Sequence, residues 1–223
     1  METSPLERRV AAVTALDDPT RRSLLNYVAR HGEPVSRDEV AHEFAMPRST
    51  AAFHLDRLVE QGLLDVEFRR LSGRTGPGSG RPAKLYRRAP GEISVSVPER
   101  HYDLAAKLLV TAVDRAARGE GTVIEALADA AHQAGTQLGD GAGSLDDVLE
   151  SSGFEPYQQD DGTIAMANCP FHRLVSDHPD TVCTMNLNLL RGAACACGAD
   201  PDRLQLDPAP GRCCVTVRPE AQA

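Results

Sequence analysis

Between Gly32 and Gly62 the chain has room for two helices, and their punctuation leaves little freedom in how they form. Ser36 precedes Glu39 by three residues, the spacing at which side chain and backbone satisfy each other's free donors at a helix start. That helix is short, because Phe44 to Met46 breaks it. The run "PRSTAAFHLDRLVEQGLL" then places Ala51, Leu55, Leu58 and Val59 on one face and turns Arg48, Ser49, Thr50, Phe53, His54 and Arg57 elsewhere. An earlier helix lies in "DPTRRSLLNYVARHG", with Pro19 near its start, Leu24, Leu25 and Val28 on one face, and Gly32 as its stop. Two short helices before an amphipathic third, over residues 47–61, predict a helix-turn-helix whose third helix enters the DNA major groove. Its first turn is small, polar and basic, and Arg48, Ser49, Thr50, His54 and Arg57 are the residues expected at DNA. Phe53 is either a thymine-methyl contact or, on the preferred reading, part of the core.

The segment after Gly62 supplies a wing. "LLDVEFRR" and "AKLYRRA" read as strands flanking the glycine-rich "LSGRTGPGSGRP". Residues 69–88 hold seven basic side chains and no acidic one, a field suited to a polyanion. Arg70, Arg74, Arg81 and Lys84 are expected along phosphate, adding affinity that falls with salt. The whole chain has a net charge of −8. That total hides a division, since residues 1–90 hold 15 basic and 12 acidic side chains (net +3) and residues 91–223 hold 9 and 20 (net −11). An acidic protein is therefore compatible with double-stranded DNA as a partner.

The 223 residues suggest two units, read as a winged helix-turn-helix domain over 1–92 and a dimerisation and sensor domain over 93–223. The overall class is α+β. After the extended "APGEISVSVPER", the helix in "HYDLAAKLLVTAVDRAARG" aligns Leu104, Ala105, Leu108, Ala112, Val113 and Ala116, as either an association face or a core face. Two more helices come after it. Then the texture changes to a hairpin turning at Asp161-Gly162, a further helix, and two late strands in "RLQLDPAPGRCCVTV". No apolar run reaches the ~20 residues of a membrane span, and the charged "METSPLERRV" does not read as a signal peptide, so a cytoplasmic protein is expected.

All six cysteines, Cys169, Cys183, Cys195, Cys197, Cys213 and Cys214, lie in the last 55 residues. In a reducing compartment they are buried, reactive or ligating rather than paired in structural disulfides. The hairpin, the helix after it and the returning strand can converge at one end of a small domain, where three or four thiolates suit zinc or an iron–sulfur cluster. Cys213 and Cys214 are read as neighbours on a strand, so that only one of them points inward. His172, three residues after Cys169, is an alternative ligand, and His178 is expected to cap or hydrogen-bond at the start of the next helix. For every cysteine the competing reading is a small buried hydrophobe. No phosphate-binding loop and no deaminase-type arrangement of histidine, glutamate and paired cysteines occurs, so the chain is read as a non-enzyme.

The run "ALDDPTRRSLLNYV", the "PRSTAAFHLDRLVEQGLL" helix and the wing "GSGRPAKLYRR" resemble the ArsR-like winged-helix regulators, over nearly the whole chain. The resemblance is strongest to the branch of SufR-type repressors of iron–sulfur cluster assembly. It implies a homodimer that reads an inverted-repeat operator and represses. It also implies an oxygen-labile iron–sulfur cluster on widely spaced carboxy-terminal cysteines, here Cys169, Cys183, Cys197 and Cys213, with Cys195 and Cys214 as alternates. Related "CPFH" and "GRCC" proteins with fewer cysteines keep zinc, or no cofactor, open. Two rival functions stand beside this one: a winged-helix repressor answering a small molecule, and a cysteine-dependent enzyme.

Overall fold

The computed structural model describes residues 5–70 and 82–220. The wing tip, with Arg74 and Arg81, lies outside the described residues. The chain divides into two compact units, Met1–Val95 and Ser96–Ala223.

In the first unit the helices are α1 (Pro5–Ala15), α2 (Pro19–Arg30), α3 (Arg37–Glu43) and α4 (Arg48–Glu60). Asp18 starts α2 by accepting from the backbone N–H groups of Thr20 at 2.7 Å and Arg21 at 3.1 Å. Those bonds, Arg21's foremost, hold its carboxyl below the ordinary range. Ser36 and Glu39 form the reciprocal cap at the start of α3. The turn into α4 is tight: Ala45 takes a φ of 48°, and the Met46 N–H donates to the Ala41 carbonyl at 3.0 Å. Ala51, Leu55 and Leu58 of α4 are buried against Leu24 and Val28 of α2 and Val40 of α3. The sequence pattern did not reveal α1, whose charged "PLERRV" leaves Leu6, Val10 and Val13 exposed.

Strands β1 (Val35–Ser36), β2 (Leu64–Arg69) and β3 (Ala83–Arg88) form an antiparallel sheet in the order β1-β3-β2. Gly62, at a φ of 69°, turns the chain from α4 into β2. The β2–β3 pairing runs unbroken from Leu64 opposite Arg88 to Arg69 opposite Ala83. This is the stem of the wing.

The second unit contains α5 (Tyr102–Ala117), α6 (Val123–Gly139), α7 (Leu145–Ser151), α8 (His172–Asp177) and α9 (Pro179–Ala196). A four-stranded antiparallel sheet runs β4-β5-β7-β6, from β4 (Pro156–Gln158), β5 (Ile164–Met166), β6 (Leu204–Leu206) and β7 (Val215–Val217). Both units combine helices with a small antiparallel sheet, an α+β fold. Helices α6 and α9 approach closely because glycines meet backbone across the crossing. A Cβ on Gly135 would lie 1.8 Å from the Leu189 carbonyl oxygen, and one on Gly192 would lie 2.0 Å from that of His132. The α5 stripe is narrower than the sequence pattern suggested. Ala105, Leu108 and Ala112 are buried, whereas Val113 is exposed together with Val110.

Candidate nucleic-acid interface and cysteine cluster

Helix α4 has Pro47 at its N-cap and no side chain capping it, so its first-turn N–H groups carry no cap bond, beside the exposed Arg48 and Ser49. That is a local setting for a phosphate oxygen. Arg48 is exposed but already engaged, since its guanidinium Nε and Nη2 each donate to the Asp38 carboxylate of α3. Thr50 and His54 are half-buried, and His54 Nδ1 is buried without a hydrogen-bond partner. Arg57 pairs with Glu60 at 2.9 Å. Phe53 corrects the core reading. It is 65% exposed, with its ring edge-on to that of His54 at 5.4 Å, because position 53 falls on the face of α4 away from Leu55 and Leu58.

At the wing stem Arg70 is exposed directly after β2. Lys84 is tied back to α4, its Nζ 2.5 Å from Asp56 Oδ1, and the Tyr86 hydroxyl donates to the same oxygen at 2.8 Å. Burial first, and then the neighbouring Asp56, push the Tyr86 hydroxyl well above its usual range. Asp56 therefore locks wing to helix and neutralises the one lysine expected at phosphate. Phe68, on β2, is a second exposed aromatic that sequence reasoning did not single out.

The cysteines separate into two groups. Cys169, Cys183, Cys213 and Cys214 are buried, whereas Cys195 is exposed and Cys197 is half-buried at the C-cap of α9. The four buried thiols interact in the order Cys169–Cys213–Cys214–Cys183. Cys213 accepts from both neighbours and from Asn186 Nδ2 at 3.4 Å, which holds its thiol well below the usual range. The other three go the opposite way. Hydrogen bonding to Cys213, together with burial, raises Cys169 and Cys214, and burial raises Cys183.

Cys197 does not reach this group. Fourteen helical residues at 1.5 Å each set it about 21 Å along α9 from Cys183, a separation no side chain spans. Cys214 takes its place. The chain is bent at Cys214 and β7 begins only at Val215, so the strand alternation that would split Cys213 from Cys214 does not apply. His172 is exposed at the start of α8, and His178 precedes α9 without a side-chain cap bond. Asn186 was findable, lying three residues after Cys183 on the same helix face. Its Oδ1 is buried with no partner. Among the described residues no group of three or more His, Cys, Asp or Glu side chains is placed so that it could hold a metal ion. Metal uptake by these thiols would require that they lose protons and rearrange.

The helix-turn-helix domain family matches residues 16–67, which span α2, α3, α4 and the start of β2. No curated protein and no solved structure matches the chain. The first unit carries a helix-turn-helix DNA-binding domain of a transcription regulator. Among the described residues no helix is long and apolar enough to cross a membrane.

Proposed function

We propose that this DNA-binding regulator is a homodimeric repressor that reads an inverted repeat through α4 and answers to the state of its buried cysteines. The observation that carries the sensing half is the gathering of four buried sulfurs, Cys169, Cys183, Cys213 and Cys214, in a unit joined to a helix-turn-helix. The donor set suits a thiophilic guest, an iron–sulfur cluster or zinc, and the unpartnered Asn186 Oδ1 beside Cys213 marks polar capacity that the protein alone leaves unused. When bound, such a group ties together the elements that supply its ligands. Here Cys169 comes after β5, Cys183 lies on α9, and Cys213 and Cys214 lead into β7.

Dimerisation is supported by α5, whose exposed Ala106, Val110, Val113 and Ala117 repeat at four, three and four residues. That spacing keeps a seam facing a second helix, and the small alanines let it come close. Two recognition helices held at a fixed separation read half-sites at a fixed spacing, so a change at the dimer seam alters operator affinity.

The test is purification without oxygen, then iron, sulfide and zinc analysis of the wild type, Cys169→Ser and Cys183→Ser. The reading requires metal in the wild type, its loss in each variant, and a shift of operator affinity toward the metal-free protein. A wild type holding neither iron nor zinc, or variants with undiminished metal, makes these cysteines packing residues.

A further inference from the structure

The segment that enters the second unit is bolted to the loop that carries Cys169. Arg100 Nη1 donates to Asn168 Oδ1, to the Cys169 carbonyl at 3.3 Å and to the Glu99 carbonyl at 2.9 Å. Asn168 returns the grip, its Nδ2 donating to the Gly153 carbonyl at 2.6 Å and to the Glu99 carbonyl at 3.1 Å. Backbone bonds complete the clamp. Arg100 N–H donates to Ser96 Oγ at 2.9 Å, and His101 N–H donates to the Pro170 carbonyl at 3.1 Å.

Cys169 is thus held on both sides by the incoming segment, through Asn168 before it and Pro170 after it. His101 is also the N-cap residue of α5, the helix with the exposed alanine-valine seam. Hydrogen bonds weaken steeply with distance and angle, and this network is half-buried, with Asn168 buried at its centre and satisfied on both sides, so a shift at one end strains several bonds at once. A backbone shift at Cys169 that tracks its sulfur is therefore handed to Ser96–His101 and the start of α5 rather than absorbed locally.

We propose that Arg100 and Asn168 are positioning residues that transmit the state of Cys169 to the first residues of the second unit, Ser96–His101, and to the first turn of α5. This rests on the cysteine-sensor reading. Nothing in it requires either residue to touch the bound group or DNA.

The test uses the full chain in two forms, metal-free and loaded anaerobically with either zinc alone or ferrous iron plus sulfide. DNA affinity is measured on a duplex selected from random sequence by the metal-free protein, and amide exchange is monitored over residues 96–104. In the wild type the two forms should differ by about tenfold in affinity, within the usual span of coupling between sites, and should differ in exchange over 96–104. Arg100→Gln should take up metal as the wild type does, while its two forms bind DNA within about twofold of each other and exchange alike. Asn168→Asp keeps the acceptor for Arg100 but loses both Nδ2 donors, and should give the same collapse. If the wild type responds and loaded Arg100→Gln responds equally, the relay is wrong and the sensor reading stands. If Arg100→Gln cannot load, Arg100 shapes the site itself and the relay is likewise wrong. If the wild type takes up neither zinc nor iron, the sensor reading fails and the relay with it.

Discussion

Arg48 is the side chain on which the DNA interface is most sharply testable, because it starts from a bond that DNA binding must share or break. Its partnership with Asp38 is made in the open, the two side chains being 65% and 51% exposed, so the pair contributes at most about 1 kcal/mol. A bidentate contact to a base edge is worth about 1–3 kcal/mol. With both at their largest, release of Arg48 to a base is favourable by about 2 kcal/mol, and Arg48→Ala should then weaken a selected duplex by about 30-fold. Asp38→Asn removes the competitor and one repelling charge, and should tighten binding by up to about fivefold. In the double variant most of that gain should vanish, since it acts through Arg48. Fluorescence anisotropy on the selected duplex and on a scrambled one, at matched salt, measures all four proteins. Equal losses for Arg48→Ala on both duplexes would make Arg48 a phosphate contact. A full Asp38→Asn gain without Arg48 would refute the competition itself.

Arg70→Ala should lower the salt slope of DNA binding by about 0.9, whereas Lys84→Ala should lower it by clearly less, because Asp56 already neutralises Lys84; equal slopes for the two would overturn that distinction. Phe53→Ala should leave thermal stability unchanged and reduce affinity for the selected duplex by about fivefold, and a drop in Tm would return Phe53 to the core. Gly135→Ala or Gly192→Ala forces α6 and α9 apart, costing about 3 kcal/mol and lowering Tm by about 10 °C in a thermal melt; an unchanged Tm would mean the helices do not cross so closely.

The first unit was largely legible because its signals are local. Ser36 with Glu39, the Gly62 stop and the Ala51, Leu55 and Leu58 spacing each act within a turn or two, where sequence distance and spatial distance agree. Helix α1 escaped because its apolar residues stay exposed and its start is charged. Phe53 was misplaced because a periodic apolar pattern cannot distinguish a residue at the edge of the stripe from one inside it. The cysteine cluster was half legible. The convergence of Cys169, Cys183 and Cys213 is a consequence of the order of hairpin, helix and strand, but placing Cys197 (or Cys195) third ignores the length of a rigid helix, and setting Cys214 as the alternate to Cys213 assumes a strand alternation that begins only at Val215. The Arg100–Asn168 clamp joins residues 68 apart through one buried side chain, and no periodicity carries such a contact.

The proposed regulator binds DNA with an affinity set by its buried thiols. The most direct measurement is the affinity of a single anaerobic preparation for its selected duplex, before and after a chelator strips its metal, with Cys183→Ser alongside. The account predicts a change of at least about fivefold on stripping, with Cys183→Ser fixed at the stripped value whether or not metal is supplied. An affinity that stays constant through stripping, in a preparation shown to have lost its metal, would contradict it.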